Sequence, residues 1–421
     1  MSNLFRFRLA AGVTFVCLTS LVWLTLYSRN SNHGSEFLRL IQHLVVNDYF
    51  PENHQVINMS TRNPAMFNYT LNGDGVTLRH VQIKPQRTSL SPHTRADASK
   101  KLSFCSCKTG NGWDFKCTVQ CPDPVDIFKT DLRSKLRITC DAHVSTEVSA
   151  NASVPMFNFT DKCLRDELDN QCLDGKTVPN IVHYIFFGLY KLSFFHFLSI
   201  WSIHIIQKPC AILIHVDKQL SGRFWGYIIR VIPNIVEVRR APPSHIFGIP
   251  IHLVEHKADV ARLEAVRDFG GIYMDTDEIL LRSLEPLRKY AFTLSHAYDF
   301  NLSNGLIMSS KNASFVNLWY KEYKTYNGNL WGHHSTIVPY KLSQKYPHLI
   351  HVENKTFVNP DFDHVDMIFK ENFNWSNNYA IHLFIRKYSL EHNFTDIRHL
   401  NTTLGAVSRH VLYGCKELCS D

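Results

Sequence analysis

The stretch of this 421-residue chain richest in chemistry is residues 257–282, KADVARLEAVRDFGGIYMDTDEILLR. Gly270-Gly271 ends a helical pattern, Ile272-Tyr273-Met274 reads as a strand, and Asp275-Thr276-Asp277 follows at its carboxyl end. Alternate residues of an extended segment point the same way, so Asp275 and Asp277 can converge on one cation. Hard oxygen ligands suit Mg²⁺ or Mn²⁺, ions that also bind diphosphates. One helix earlier, Asp259 and Arg262 stand three apart and share a helix face. Either pair alone has an ordinary alternative: an ion pair on a surface helix, or a solvated turn after a strand. A calcium loop is excluded, because it would require Asp or Asn at Ile279 and Gly at Leu280.

These residues need a scaffold, and the sequence describes one. Residues 181–188 form a short, nearly continuous apolar run closed by Gly188, the pattern of a buried parallel strand. Residues 192–206 are apolar enough to suggest a membrane span, but they contain His196 and His204 and are followed by another strand-like run at 211–216. They read as a packed helix. A helix at 219–230, a strand at 235–239 and a helix at 252–269 lead into Ile272. Alternating strands and helices predict an α/β fold with a largely parallel sheet, and such sheets hold ligands at the carboxyl ends of their strands.

Composition narrows the class further. Apolar residues make up 45% and charged residues 19%, enough for a large core and too apolar for wholesale disorder. The net charge of +8 is spread without a block of five or six Lys/Arg, which argues against nucleic acid as partner. Residues 9–27 carry no charge, follow Arg6 and Arg8, and are long enough for a bilayer; they lack a small-x-small cleavage site. This predicts a cytoplasmic tail at 1–8, a transmembrane signal anchor at 9–27 and a lumenal remainder. Ten Asn-x-Ser/Thr sequons start at Asn58, Asn68, Asn151, Asn158, Asn301, Asn312, Asn354, Asn374, Asn393 and Asn401, against roughly four expected by chance from 29 Asn and 55 Ser or Thr. Ten cysteines follow the anchor, seven of them between 105 and 172. In a lumenal compartment this pattern favours disulfides over zinc. The remaining expected boundaries are a polar stem at 28–104, a Cys-rich disulfide-stapled segment at 105–177 with short strands and few helical signals, a catalytic domain at 178–400 and a C-terminal tail at 401–421.

Ala258-Asp259-x-x-Arg262 followed by Phe269-Gly270-Gly271-Ile272-Tyr273-Met274-Asp275-Thr276-Asp277 resembles the D-x-D block of family-32-type GT-A glycosyltransferases. The resemblance is to their α-1,4-glycosyltransferase branch, which includes globotriaosylceramide synthase and an α-1,4-N-acetylglucosaminyltransferase. Val178-Pro179-x-Ile181-Val182-His183-x-Ile185-x-Phe187-Gly188 resembles the opening strand of that family. Asn304-Gly305, Tyr326-Asn327-Gly328 and Trp331-Gly332-His333 resemble its acceptor-side segment, and Tyr379-Ala380-Ile381-His382-Leu383 its late strand. The chain departs from the pattern at Phe186, where the family usually has Trp, at Ser335-Thr336 in place of Gly-Pro, and at Leu383-Phe384.

The resemblance implies a Rossmann-like GT-A domain that binds a nucleotide sugar, with Asp277 and His382 as direct metal ligands and Asp275 on metal, ribose or both. It implies that Asp259 and Arg262 hold the donor sugar, and that Tyr273, Gly271 and the backbone from Ile185 to Phe187 border the nucleotide. Trp331 and His333, with Asn304 or Asp299, would flank the acceptor. The expected reaction is a retaining transfer, dependent on Mn²⁺ or Mg²⁺, from a UDP-hexose or UDP-N-acetylhexosamine rather than GDP-mannose. The expected acceptor is a lumenal glycan or glycolipid, and the expected location a single-pass type II protein of the Golgi membrane. Two rivals remain: an inactive sugar-binding protein on the same fold, and a D-x-D phosphatase. The first is disfavoured because both Asp residues are kept. The second is disfavoured because its motif ends the first strand and leads into a Gly-Thr-type turn, whereas here Glu278-Ile279 follows a later element. If the chain is lumenal, glycosidase treatment of the cell-expressed protein should lower its apparent mass by several glycans; an unshifted band would place the domain in the cytosol.

Overall fold

A computed structural model describes residues 118–122, 136, 138–140, 143–145 and 154–420. The expected anchor, the stem, and the sequons at Asn58, Asn68 and Asn151 lie outside these residues. Among the described residues no helix is long and apolar enough to cross a membrane.

The strands are β1 (Thr118–Gln120), β2 (His143–Ser145), β3 (Val154–Asn158), β4 (Ile181–Phe186), β5 (Ala211–Val216), β6 (Ile235–Arg239), β7 (His245–Ile246), β8 (Ile249–Pro250), β9 (Gly271–Met274), β10 (Glu278–Leu280), β11 (Phe292–Tyr298), β12 (Asn301–Ser309), β13 (His351–Glu353), β14 (Ala380–His382) and β15 (Leu418–Ser420). Nine of them form one sheet in the order β13-β11-β12-β9-β4-β5-β6-β3-β2. The run from β3 through β6, β5 and β4 to β9 is parallel, and antiparallel neighbours close it on both sides. β4 and β5 are buried at every position, which explains why their sequences are continuously apolar rather than alternating. This confirms the expected α/β class with a mixed sheet.

The helices that matter for the site are α1 (Lys162–Cys172), α2 (Phe194–Ser202) and α3 (Arg223–Val231), followed by α4 (Val254–Phe269). Residues 192–206 are a packed helix, as expected. Ser193 caps α2 by a reciprocal pair of contacts with His196, and a π-turn, Ile203–Gln207, continues the helix. α4 ends at Gly270, whose φ of +70° suits glycine; a Cβ there would lie 2.8 Å from the Lys311 amide nitrogen and 2.9 Å from Pro179. At Gly271, with φ +104°, a Cβ would collide with the Ile181 carbonyl. Glycine at 271 lets β9 lie tightly against β4.

Two expected boundaries are corrected. The Cys-rich segment does not end ahead of the sheet: β3 pairs with β6 inside it, and α1 is a full helix. Asp161 caps α1 by accepting from the Leu164 amide at 3.0 Å, and Leu164, Leu168 and Cys172 recur at spacing four on its buried face. The C-terminal residues are likewise no tail. Helix Thr403–Tyr413 is buried through most of its length, and Arg409 within it donates to the carbonyls of Ile397, Leu400 and Lys416. β15 then pairs with β1 in parallel.

Disulfides join Cys121–Cys419, Cys140–Cys163 and Cys172–Cys210, and Cys415 is also disulfide-bonded. The first ties together residues 298 apart, and the third ties α1 to the start of β5. Peptide mapping of the non-reduced protein should recover all three crosslinks. Stoichiometric zinc with free thiols at these six positions would overturn the assignment.

Candidate active site

The D-x-D turn leaves β9 at the carboxyl edge of the parallel strands, and a second, two-stranded sheet is built onto it. β10 pairs antiparallel with β14, in the register Glu278 with His382, Ile279 with Ile381 and Leu280 with Ala380. This pairing delivers His382 to residues about 105 positions earlier in the chain. His382 Nε2 lies 3.2 Å from Asp277 Oδ1 and 3.9 Å from Asp275 Oδ2. One ligand atom from each of Asp275, Asp277 and His382 falls within 4.8 Å of the others, a set that can hold a divalent cation. Asp277 is held at three points by His382 and the residues that follow it. Its carbonyl accepts from the Leu383 amide at 2.9 Å, its Oδ2 from the Ile385 amide at 3.0 Å, and its Oδ1 meets the imidazole.

α2 supports the same turn from beneath. Ser199 Oγ donates to the Glu278 carbonyl at 2.6 Å, and Ser202 Oγ accepts from the Leu280 amide at 2.9 Å. On the β12 side, the Asp275 amide donates to the Gly305 carbonyl at 2.7 Å. A Cβ at Gly305 would lie 2.8 Å from Glu278 Oε2, 3.1 Å from His382 Nδ1 and 3.2 Å from Asp275 Oδ2. Glycine at 305 is what leaves room for these polar groups.

Arg262 organises the adjoining part. Its guanidinium lies 3.1 Å from Asp275 Oδ1 and 3.4 Å from Asp259 Oδ1, donates to the Asn304 carbonyl at 2.8 Å, and sits 4.5 Å from the Tyr273 ring centre. Asn304 Nδ2 donates to Asp259 Oδ1 at 2.7 Å, and the Tyr273 hydroxyl donates to Asp275 Oδ1 at 2.5 Å. Asp259, Arg262, Tyr273, Asp275 and Asn304 therefore meet, with the buried Tyr273 holding Asp275. Beyond Asp259 a pocket opens, lined also by His256, Tyr323, Tyr326, Leu330 and His334. His256 Nδ1 and the Tyr326 hydroxyl are 2.6 Å apart, and the half-exposed Trp331 ring lies 5.3 Å from His256. The Arg386 guanidinium reaches over Trp331 from the β14 side.

Other expectations are corrected. Asp299 sits at the turn between β11 and β12, with its side chain 85% exposed and 3.9 Å from Lys355, outside the cluster. His333 does not line the pocket; its neighbour His334 does, because the π-turn His333–Ile337 directs His334 inward, where it is buried. For Ile185 to Phe187 the expectation concerned the backbone, and there is nothing to correct: the Ile185 and Phe187 side chains are buried in the core with Val260 and Tyr273. None of the seven described sequon asparagines is buried, and Asn158, Asn312, Asn354, Asn374 and Asn401 are exposed. Sequence reasoning gave no site role to Glu278, His256 or Arg386, and named Tyr326 only within the acceptor-side segment of the resemblance. The isolated Gly305 in a strand pattern was the available signal for a close approach.

Charge within the site is unevenly shared. Burial disfavours ionised Asp277, but the His382 charge and hydrogen bond, with the Ile385 amide, outweigh it and bring its pKa down to about 2. Burial also disfavours charged His382, and Asp277, Glu278 and Asp275 outweigh that, pushing it up to about 9. Glu278 is pushed up to about 8, first by burial. Asp259 is raised by burial, with Arg262 opposing.

Residues 207–293 match the family described as "Glycosyltransferase sugar-binding region containing DXD motif". Glucan organizing enzyme 1 of Cryptococcus neoformans is 32% identical over 234 residues, covering 49% of this chain and 63% of that protein. Lactosylceramide 4-alpha-galactosyltransferase of Pongo pygmaeus is 31% identical over 83 residues, covering 20% of this chain and 37% of that protein. The chain thus spans less than two thirds of each relative, and the second match supports the broad family rather than the α-1,4 branch. Among solved structures, the galactosyltransferase LgtC in complex with donor and acceptor sugar analogs is 14% identical, with a TM-score of 0.30 over 56% of this chain and 96% of that one.

The pKa shifts predict how the metal-free protein responds to pH. His382 is raised above its ordinary 6.5, so its contribution to stability is full below pH 6.5 and is lost as pH climbs through about 9. Asp277 is depressed, so its contribution holds above pH 3.8 and is lost as pH falls through about 2. The thermal midpoint of chelator-treated protein should drop by a few degrees between pH 6.5 and 9. His382→Gln should flatten that slope; an unchanged slope in the variant would contradict the assignment.

Proposed function

We propose that this chain is a metal-dependent retaining glycosyltransferase that moves a hexose or N-acetylhexosamine from a UDP-sugar to a glycan or glycolipid. It would act in the Golgi lumen, as a type II protein anchored by residues 9–27. The observation that carries this reading is the convergence of Asp275, Asp277 and His382 beside the Arg262–Asp259–Asn304 network, with a pocket opening beyond it. A cation bound there supplies Lewis acidity to the departing diphosphate.

The remaining chemistry belongs to the chain. Arg262 and Tyr273 hold Asp275 at fixed geometry, so its free oxygen needs no reorganisation to meet a cation. Asp259, held through Oδ1 by Asn304 and Arg262, keeps Oδ2 for the hydroxyls of a sugar in the pocket. Trp331 offers an aromatic face at the pocket mouth, suited to the apolar face of a sugar ring. A retaining glycosidase would need a carboxylate nucleophile at the anomeric carbon. Asp259 is the one carboxylate among the described residues lining the pocket, and its place in this reading is on the hydroxyls of the donor sugar rather than at the anomeric carbon. This supports front-face displacement, with the leaving diphosphate assisting the incoming hydroxyl.

The test is donor hydrolysis and transfer by the full-length chain across a panel of sugar nucleotides with Mn²⁺. EDTA should abolish turnover and Mn²⁺ restore it. Asp277→Asn should lower the rate by about 10²–10³ with the fold intact, as loss of preorganised electrostatic stabilisation does. Asp259→Asn should raise the donor KM more than it alters the metal requirement. Full activity of Asp277→Asn in EDTA would remove the mechanism.

A further inference from the structure

Glu278 begins β10 directly opposite His382 on β14, and directly opposed residues of an antiparallel pair project from the same face of the sheet. It is completely buried, and neither carboxyl oxygen has a hydrogen-bond partner. A carboxylate in such a place is normally paired, because an unpaired one is expensive to keep out of water. The direction it faces is defined by Gly305. The point where a Gly305 Cβ would stand is 2.8 Å from Glu278 Oε2 and 3.1 Å from His382 Nδ1, so both atoms border one small space. The other imidazole nitrogen, Nε2, faces Asp277 and Asp275. Glu278 is not one of the three residues whose ligand atoms cluster within 4.8 Å.

A neutral imidazole has one nitrogen that donates and one that accepts. If Nε2 is to meet a cation, the proton must sit on Nδ1, and it needs an acceptor there. Ligating histidines are commonly fixed in this way by a carboxylate on the far nitrogen. We propose that Glu278 is a positioning residue: its carboxylate accepts the proton of His382 Nδ1 and holds the ring in the tautomer and orientation that turn Nε2 toward Asp275 and Asp277. This deepens the cation-site reading above and rests on it. It also accounts for glycine at 305, since any side chain there would fill the space through which the two groups approach.

The readout is affinity for Mn²⁺ alone, measured by calorimetry or by the free-ion spin-resonance signal on the full-length chain without donor or acceptor. Glu278→Gln, which keeps the volume and weakens the acceptor, should reduce Mn²⁺ affinity by about tenfold, and Glu278→Leu by up to about 100-fold. A merely structural role would lower the thermal midpoint of the metal-free protein and leave affinity intact. Affinity within twofold of the parent in both variants would overturn the proposal, and if Glu278→Leu does not fold, Glu278→Gln decides on the same criterion. Asp277→Asn separates the two readings. If the parent binds Mn²⁺, Asp277→Asn does not and the Glu278 variants do, only the Glu278 role falls. If the parent binds none, the cation site falls with it.

Discussion

The site depends on one junction, the seam between Asp277 and the strand around His382. A three-residue strand cannot hold its register by ladder bonds alone. Here Asp277 adds a carbonyl, a carboxylate–amide bond and a carboxylate–imidazole contact to the same segment. Charge and backbone therefore specify one register together. A slip of one residue would turn His382 to the opposite face and leave Asp277 facing an apolar neighbour. The hydroxyls of Ser199 and Ser202 meet the other side of β10, so the pair is fixed between α2 and β14.

The second constraint is the buried Arg262. A guanidinium out of water persists only where its charge is matched and its donors are used. Arg262 is matched by Asp275 and Asp259, and the Asn304 carbonyl takes a further donor. Removing it would leave two carboxylates facing each other in a dry site. The same arrangement links the two sides of the site, because Asp275 belongs to the cation cluster and Asp259 to the pocket wall.

What the sequence disclosed follows from how far each signal reaches along the chain. The runs at 181–186 and 211–216 are buried on both faces, so their nearly continuous apolar character announces parallel strands. Asp275, Asp277, Asp259 and Arg262 lie within twenty residues of one another on two adjoining elements, and local geometry is enough to group them. His382 came only through resemblance, because a strand of three residues has no periodicity to read. Asp299 and Asn304 are close in sequence, yet the β11–β12 hairpin leaves one at its turn and carries the other to Arg262. His333 and His334 differ by one position, and a π-turn, invisible to any helical period, decides which faces inward. Glu278 looked like a charged residue at a strand end; only the pairing with β14 shows that it is buried.

The two sides of the site are also built from different material. Strands and two long helices fix the charged groups, and the hydroxyls and amides around them leave little freedom. The pocket wall takes His256 and Asp259 from α4, and the rest of it comes from the stretch between Tyr323 and Ser335, with Leu330 and the neighbouring Trp331 half-exposed. Ser335 lines this wall at a place where the chain departs from the pattern it otherwise resembles. A change on that wall alters the surface offered to a sugar without disturbing the Asp275–Arg262–Asp259 network, since Trp331 and Ser335 make no ion pair with it. In the function proposed above, selection of the sugar and neutralisation of the leaving group could thus vary independently, with Asp259 as the point where they meet.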